Sequence, residues 1–150
     1  MPDRNANEPP TEVLLIDDDE ADARLIAEAF KQSSGRDVRL EVLSDAAEAL
    51  SSLHGQPGAC AVTPPALIIL DLNLPKYDGR QFLRDIKADE NLCRIPVVVF
   101  TTSSAEAEVV LAYQAHANCY ICKPTNLKGF LAVIQSIKNF WFSVAALPSR

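Results

Sequence analysis

The sequence predicts an α/β protein: one five-stranded parallel sheet, doubly wound, with helices covering both faces. Three observations carry that expectation. Apolar runs and helix-like stretches alternate five times along the 150 residues, the order of successive β-α units in one parallel sheet. Several runs are apolar without alternation, as strands buried on both faces are. The polar residues that close the runs would then all emerge at one edge of the sheet.

Each element can be justified in order. Glu12–Ile16 is an apolar run ending in Asp17-Asp18-Asp19. Glu20–Lys31 follows as a helix, with Ala21, Leu25, Ile26, Ala29 and Phe30 at helical spacing. Asp19 suits its N-cap and Ser33-Ser34-Gly35 its end. Val38–Leu43 alternates apolar with charged residues, as a strand exposed on one side does. Ser44 or Asp45 can cap the helix Ala46–Leu53, and His54–Pro65 reads as a loop.

The central strand is Ala66–Leu70, five apolar residues running into Asp71 between Pro64-Pro65 and Pro75. Pro75–Gly79 is turn chemistry, and Arg80–Asp89 a helix with Phe82, Leu83 and Ile86 inward. Ile95–Phe100 is the fourth strand, ending in Thr101-Thr102. Ser103 or Ser104 can cap the helix Ala105–His116. Cys119–Cys122 is a short fifth strand leading to Lys123-Pro124, and Asn126 can cap a last helix from Leu127 to about Val144.

Composition narrows the function classes. A net charge of −6 argues against direct nucleic-acid binding, which favours a basic face. No apolar run reaches the roughly 18 residues that a membrane helix needs. Residues 1–11 are polar, lack the apolar core of a signal peptide, and read as a disordered tail of a cytoplasmic protein. Residues 12–144 then form the domain and 145–150 a C-terminal tail. Of the four cysteines, Cys60, Cys93, Cys119 and Cys122, three lie in or beside apolar stretches, as buried reduced thiols do. Cys119 and Cys122 make a C-x-x-C, but it lies along a strand rather than at a helix start, so a redox pair is disfavoured. No phosphate loop of the G-x-x-x-x-G-K type occurs.

The strand ends carry the chemistry. Asp17 and Asp18, Asp71, Thr101 and Lys123 would converge on one edge, where open α/β sheets bind ligands. Three carboxylates repel, and one is driven neutral unless a cation joins them. Hard oxygens with open positions suit Mg²⁺. A carboxylate beside such a cation can attack phosphorus and form an aspartyl phosphate. Lys123 and the Thr101 hydroxyl can then hold phosphoryl oxygens. A glycosidase reading of the acids leaves Lys123 and Thr101 without roles.

Leu14-Leu15-Ile16-Asp17-Asp18, Leu70-Asp71-Leu72-Asn73-Leu74-Pro75 with Asp78-Gly79, Phe100-Thr101-Thr102, and Tyr120 with Lys123-Pro124 resemble the receiver domain of two-component response regulators. The likeness runs from about Glu12 to Val144. It implies a flavodoxin-like fold with strand order 2-1-3-4-5. It implies that Asp71 is the phosphoacceptor, that Asp17 and Asp18 with Asp71 and the Asn73 backbone carbonyl hold Mg²⁺, and that Thr101 and Lys123 hold the phosphoryl group. Tyr120 would be an aromatic switch that turns inward as Thr101 moves, and Lys123–Pro124 a cis peptide. The chain would be a phosphoacceptor rather than an enzyme in the usual sense, catalysing only its own phosphoryl transfer and slow dephosphorylation. Asp71–Lys76 with Asp78-Gly79-Arg80, Arg94–Val99, Thr101-Thr102-Ser103, Asn118-Cys119-Tyr120 and Phe140-Trp141 are further similar to the small regulators that partner cyanobacterial-type phytochrome histidine kinases.

Two other functions compete. Asp71-Leu72-Asn73 is distantly like the D-x-D of aspartate-nucleophile phosphatases, but Asn73 cannot serve as their general acid. A degenerate, constitutive scaffold would be expected to lack one of Asp17, Asp18, Asp71, Thr101 and Lys123. The last helix also has apolar residues to spare. Leu127, Leu131, Ile134, Ile137 and Trp141 make one inward stripe, leaving Phe130, Val133, Phe140, Phe142 and Val144 over. With Val109, Val110 and Tyr113 of the preceding helix they suggest a two-fold homodimer, with Val110, Tyr113, Phe130, Phe140 and Phe142 in its interface.

Overall fold

A computed structural model of the chain describes residues 10–32, 37–55 and 64–148. Ten elements alternate as expected: β1 (Thr11–Ile16), α1 (Glu20–Lys31), β2 (Val38–Leu43), α2 (Ala46–Leu53), β3 (Leu67–Leu70), α3 (Gly79–Ala88), β4 (Val97–Thr101), α4 (Glu106–Gln114), β5 (Cys119–Cys122) and α5 (Leu127–Asn139). All strand pairs are parallel, and the order is β2-β1-β3-β4-β5. This is the flavodoxin-like arrangement. Residues 1–9 of the N-terminal tail, the Ser33-Ser34-Gly35 break and residues 56–63 with Cys60 lie outside the described residues.

The period-2 geometry of a strand divides the core into two layers. Leu14, Ile16, Ile68, Leu70, Val97 and Val99 face α2, α3 and Ala112 of α4. Val13, Leu15, Leu67, Ile69, Val98 and Phe100 face α1 and α5. β3 and β4 are buried throughout, so polar residues follow them only at the strand ends, whereas the edge strand β2 exposes Arg39 and Glu41 as expected.

The expected caps hold at α1, α2 and α5, and Asp78, expected within a turn, caps α3. Asp19, Asp45, Asp78 and Asn126 each accept a backbone N–H from the first turn of α1, α2, α3 and α5. The fourth helix departs: Ala105 is its N-cap, and no side chain caps it. Gly79 is not the end of a turn but the first residue of α3. A Cβ there would meet the Asp71 carbonyl oxygen and sit 2.8 Å from Leu72 Cα. Only glycine lets α3 begin against the residue pair that follows β3.

The C-terminal helix corrects the expected surface. Phe130 and Phe142, expected at an interface, are core residues, 4% and 7% exposed. Phe130 packs on Phe100 with ring centroids 5.3 Å apart, and Phe142 meets Phe30 edge-on at 6.0 Å. Phe130 lies in the regular helix on one stripe with Ile134 and Ile137, while Phe142 turns inward through a π-helical turn, Phe140–Val144, closed by Ala145 N–H to the Phe140 carbonyl at 2.7 Å. An i→i+5 turn holds more residues than an α turn. The core-facing position therefore slips from Trp141 to Phe142. Leu127 and Leu131, expected inside, are exposed. Val110, Tyr113 and Phe140 are exposed as expected, and Leu147 of the presumed tail packs on the second core layer.

Two further expectations fail. Cys93 and Cys122 are exposed and Cys119 is half-buried; all three are free thiols. Three positions apart on one strand, Cys119 and Cys122 also point to opposite faces, which removes the redox pair. No described peptide bond is cis, Lys123–Pro124 included. Lys123 enters the edge site without it, anchored by its N–H on the Thr101 carbonyl at 2.7 Å.

Candidate functional site

The five residues read from the strand ends do meet. Asp17 and Asp71 directly follow β1 and β3, Thr101 ends β4, and Lys123 follows β5. Asp17, Asp71, Thr101 and Lys123 are all buried, whereas Asp18 is exposed and forms the open side.

Asp71 is the centre. Its Oδ1 accepts the Asn73 N–H at 3.0 Å and the Thr101 hydroxyl at 2.9 Å. Its Oδ2 accepts the Lys123 ammonium at 2.9 Å. The same ammonium donates to Asp17 Oδ2 at 2.8 Å and to Asp22 Oδ2 at 2.9 Å. Asp17 Oδ1 accepts the Asp19 N–H at 2.9 Å, so a tight turn after β1 orients its carboxylate. The Lys123 ammonium lies over the Phe100 ring, its nitrogen 5.8 Å from the ring centre.

The charges are unevenly matched. Burial pushes the Asp17 carboxyl up to about 6; the hydrogen bond from Lys123 opposes but does not cancel this. Burial alone would lower the Lys123 ammonium, yet its bonds to Asp17, Asp22 and Asp71 hold it above its ordinary value. The two partners thus lean opposite ways. The ammonium has three carboxylates to itself, whereas Asp17 has one share of one ammonium and the like charge of Asp71 beside it.

That imbalance is the condition for cation binding. One carboxylate oxygen each from Asp17, Asp18 and Asp71 lies within 4.8 Å of the others. Three hard oxygen donors with an exposed side fit a divalent cation that keeps water in its shell.

Around this core are further residues, of which the sequence reading missed Asp22 and Arg80 as members of the site. Asp22 is a fourth carboxylate, one turn into α1; its signal was the acid three residues after the cap Asp19, where a helix starts at the same sheet edge. The Asn73 side chain donates to the Thr101 hydroxyl at 3.2 Å and to Thr102 at 3.4 Å. Arg80 donates to the Leu72 carbonyl at 3.3 Å and pairs with Asp78 and, across to α4, with Glu108. Tyr120 is half-buried, and its hydroxyl donates to the Ser103 carbonyl at 2.8 Å. Its backbone N–H is taken by the Tyr113 hydroxyl at 3.2 Å, which occupies a polar group on an edge strand.

A parallel sheet of this order with an acid pair, a central aspartate, a threonine and a lysine at its edge defines a receiver. The family model for the response regulator receiver domain matches residues 13–135, and the chain belongs to that family. Its relatives include the response regulator Rcp1 of Synechocystis sp., 45% identical over 142 residues that cover 94% of this chain and 95% of Rcp1. The crystal structure of the Mn²⁺-bound form of Rcp1 matches with a TM-score of 0.89 at 44% identity, covering 93% of this chain and 100% of that one. The phosphorylated cyanobacterial phytochrome response regulator RcpA matches at 0.90 with 41% identity, covering 94% and 100%. Among the described residues no helix is long and apolar enough to cross a membrane.

Proposed function

We propose that this response regulator is phosphorylated on Asp71 by a sensor histidine kinase of the phytochrome type, in the cytoplasm, and signals through protein contacts. The observation that carries this reading is the convergence on Asp71 of an ammonium, a hydroxyl and two further carboxylates. The phytochrome assignment rests on the similarity to RcpA. Asp17, Asp18, Asp71 and the Asn73 carbonyl would hold Mg²⁺, which when bound neutralises the carboxylates and a phosphoryl oxygen.

The chain's own residues do the rest. An Asp71 carboxylate oxygen bonds to phosphorus as the phosphorus–nitrogen bond of a phosphohistidine breaks, and the imidazole nitrogen keeps the electron pair. Lys123 exchanges the Asp71 oxygen for a phosphoryl oxygen, and Thr101 turns its hydroxyl to another. Because Thr101 now donates to Asp71 at 2.9 Å, phosphorylation changes its partner. Tyr120, tied to Ser103 two residues on, follows that movement. Slow hydrolysis by water returns Asp71 to its carboxylate. The test is incubation with acetyl phosphate and Mg²⁺ followed by intact mass. Wild type gains one phosphate and Asp71→Asn gains none; no gain in wild type, or equal gain in both, removes the reading.

The same reading includes a two-fold homodimer through α4, β5 and α5. Its supported surface is now Val110, Tyr113 and Phe140, since Phe130 and Phe142 are occupied inside the chain. Phe140→Asp is expected to shift the chain to monomer in sedimentation equilibrium. A monomeric wild type, or unchanged association in the variant, excludes this interface.

A further inference from the structure

Asp22 has no part in the chemistry above, yet it holds the Lys123 ammonium as closely as Asp17 and Asp71 do. Its place is set locally. The Asp22 N–H donates to Asp19 Oδ1 at 3.0 Å, which fixes it in the first turn of α1. From there its carboxylate reaches Lys123, a residue 101 positions away, at 2.9 Å. The Asp22 side chain is 23% exposed and that of Lys123 only 4%, so Asp22 is the more solvated member of the pair.

An ammonium has three donors. Here each is used, by Asp17, Asp22 and Asp71. Phosphoryl transfer disturbs two of the three. Asp71 becomes an acyl phosphate, and its Oδ2 no longer carries a full charge for Lys123. Asp17 belongs to the trio of carboxylates that fits a cation. Asp22 is outside that trio, and it alone stays a free carboxylate throughout. A lysine ammonium on four methylenes is a mobile point charge unless something pins it.

We propose that Asp22 is a positioning residue for Lys123: it keeps the ammonium aimed at the reacting edge while its other two partners are engaged. This rests on the phosphorylation reading given above. Through Asp22 the first turn of α1 becomes part of the site.

The experiment follows phosphorylation of wild type, Asp22→Ala and Asp22→Asn by acetyl phosphate at saturating Mg²⁺. In each, an Asp71 oxygen bonds to phosphorus and acetate leaves with the electron pair of the broken bond. Asp22→Ala is expected to lower the maximal rate by about ten- to a hundredfold, the cost of a loosened catalytic group. Asp22→Asn keeps an acceptor oxygen in place and is expected to recover most of that rate. In proton–nitrogen spectra of the unphosphorylated protein the Lys123 ammonium signal, sharp in wild type, should broaden away in Asp22→Ala and return in Asp22→Asn. Arg24→Gly, which weakens the same helix on its exposed face away from the site, should leave the maximal rate and the ammonium signal as in wild type.

The inference is overturned if Asp22→Ala reaches the wild-type maximal rate, or if Asn is no better than Ala. It is overturned equally if Arg24→Gly loses as much rate as Asp22→Ala, which would make the effect one of helix integrity. A wild type that takes no phosphate brings down the phosphorylation reading itself. An active wild type with an equally active Asp22→Ala brings down only the role of Asp22.

Discussion

At opposite edges of the sheet, two lysines each have three oxygens around the ammonium. At the C-terminal edge Lys123 meets Asp17, Asp22 and Asp71. At the N-terminal edge Lys87, in the last turn of α3, donates to the Cys93 carbonyl at 2.9 Å, the Ile95 carbonyl at 2.8 Å and Asn118 Oδ1 at 3.1 Å. The two sites match in donor count and distance and differ in charge. Charged partners hold Lys123 above its ordinary pKa in spite of burial. Neutral partners cannot, and burial takes Lys87 below its ordinary value. At the C-terminal edge four carboxylates face one ammonium, and the excess negative charge is a demand for a further cation. At the N-terminal edge nothing is left over, so Lys87 stitches α3 to the start of β4 and to the turn before β5. Geometry alone does not distinguish a site from a staple; the charge balance does.

The sharpest test of that contrast is to remove each ammonium. Lys123→Met should slow phosphorylation of Asp71 by about a hundredfold or more, the usual cost of losing a donor to developing oxyanion charge. Lys87→Met should leave that rate alone and instead lower stability by about 2 kcal/mol, the scale of hydrogen bonds from a charged donor. Acetyl phosphate kinetics and urea unfolding on both variants read the two effects. A slowed Lys87→Met would mean that the edges are coupled and the comparison is wrong.

The sign of the pH dependence separates them further. With a folded pKa below 10.5, Lys87 binds its proton more weakly in the native state than in the unfolded chain. The unfolded state therefore holds more protons, and the stability contributed by this group rises as pH climbs toward 10.5. The stability gap between wild type and Lys87→Met should widen over that range. A constant gap would show that Lys87 is as comfortable charged in the fold as in water.

The C-terminal edge was the more legible of the two. Its residues end apolar strands, and three carboxylates with a lysine stand out against unbroken runs such as Leu67–Leu70. Lys87 and Asn118 carry no such signal, because a lysine in the last turn of a helix is what the helix dipole favours anyway. Asp22 was missed for a related reason: an acid in a first turn has a sufficient local explanation. Phe130 was misplaced because the inward stripe was begun at Leu127 and Leu131, one position off the Phe130–Ile134–Ile137 stripe, and Phe142 because a strict 3.6 period was carried through a segment that closes as a π turn. The cap of α4 was misjudged because Ser103 lies two residues too early, its carbonyl spent on Tyr120. In each case a tertiary contact overrode a pattern that was locally reasonable.

The smallest effect concerns the backbone at the same two edges. Among the described residues two non-glycine residues have left-handed backbones: Lys76, after the site loop, at φ 62°, and His116, before β5, at φ 70°. His116 ends α4, with its N–H on the Tyr113 carbonyl at 2.9 Å and the Ala117 N–H on Ala112 at 3.0 Å. This is the closing pattern that usually takes glycine. The His116 side chain is exposed and has no role in that closure. His116→Gly relieves the steric cost of a Cβ there, less the entropy that glycine adds to the unfolded chain, for a net gain of about 0.5–1 kcal/mol. Lys76→Gly should gain a similar amount. The comparison then predicts a difference in function: His116→Gly, at the staple edge, keeps the wild-type phosphorylation rate, while Lys76→Gly loosens the loop that carries Asn73 and lowers it. Urea unfolding and acetyl phosphate kinetics measure both. A loss of stability in His116→Gly would show that the imidazole, not the backbone, is what that turn selects.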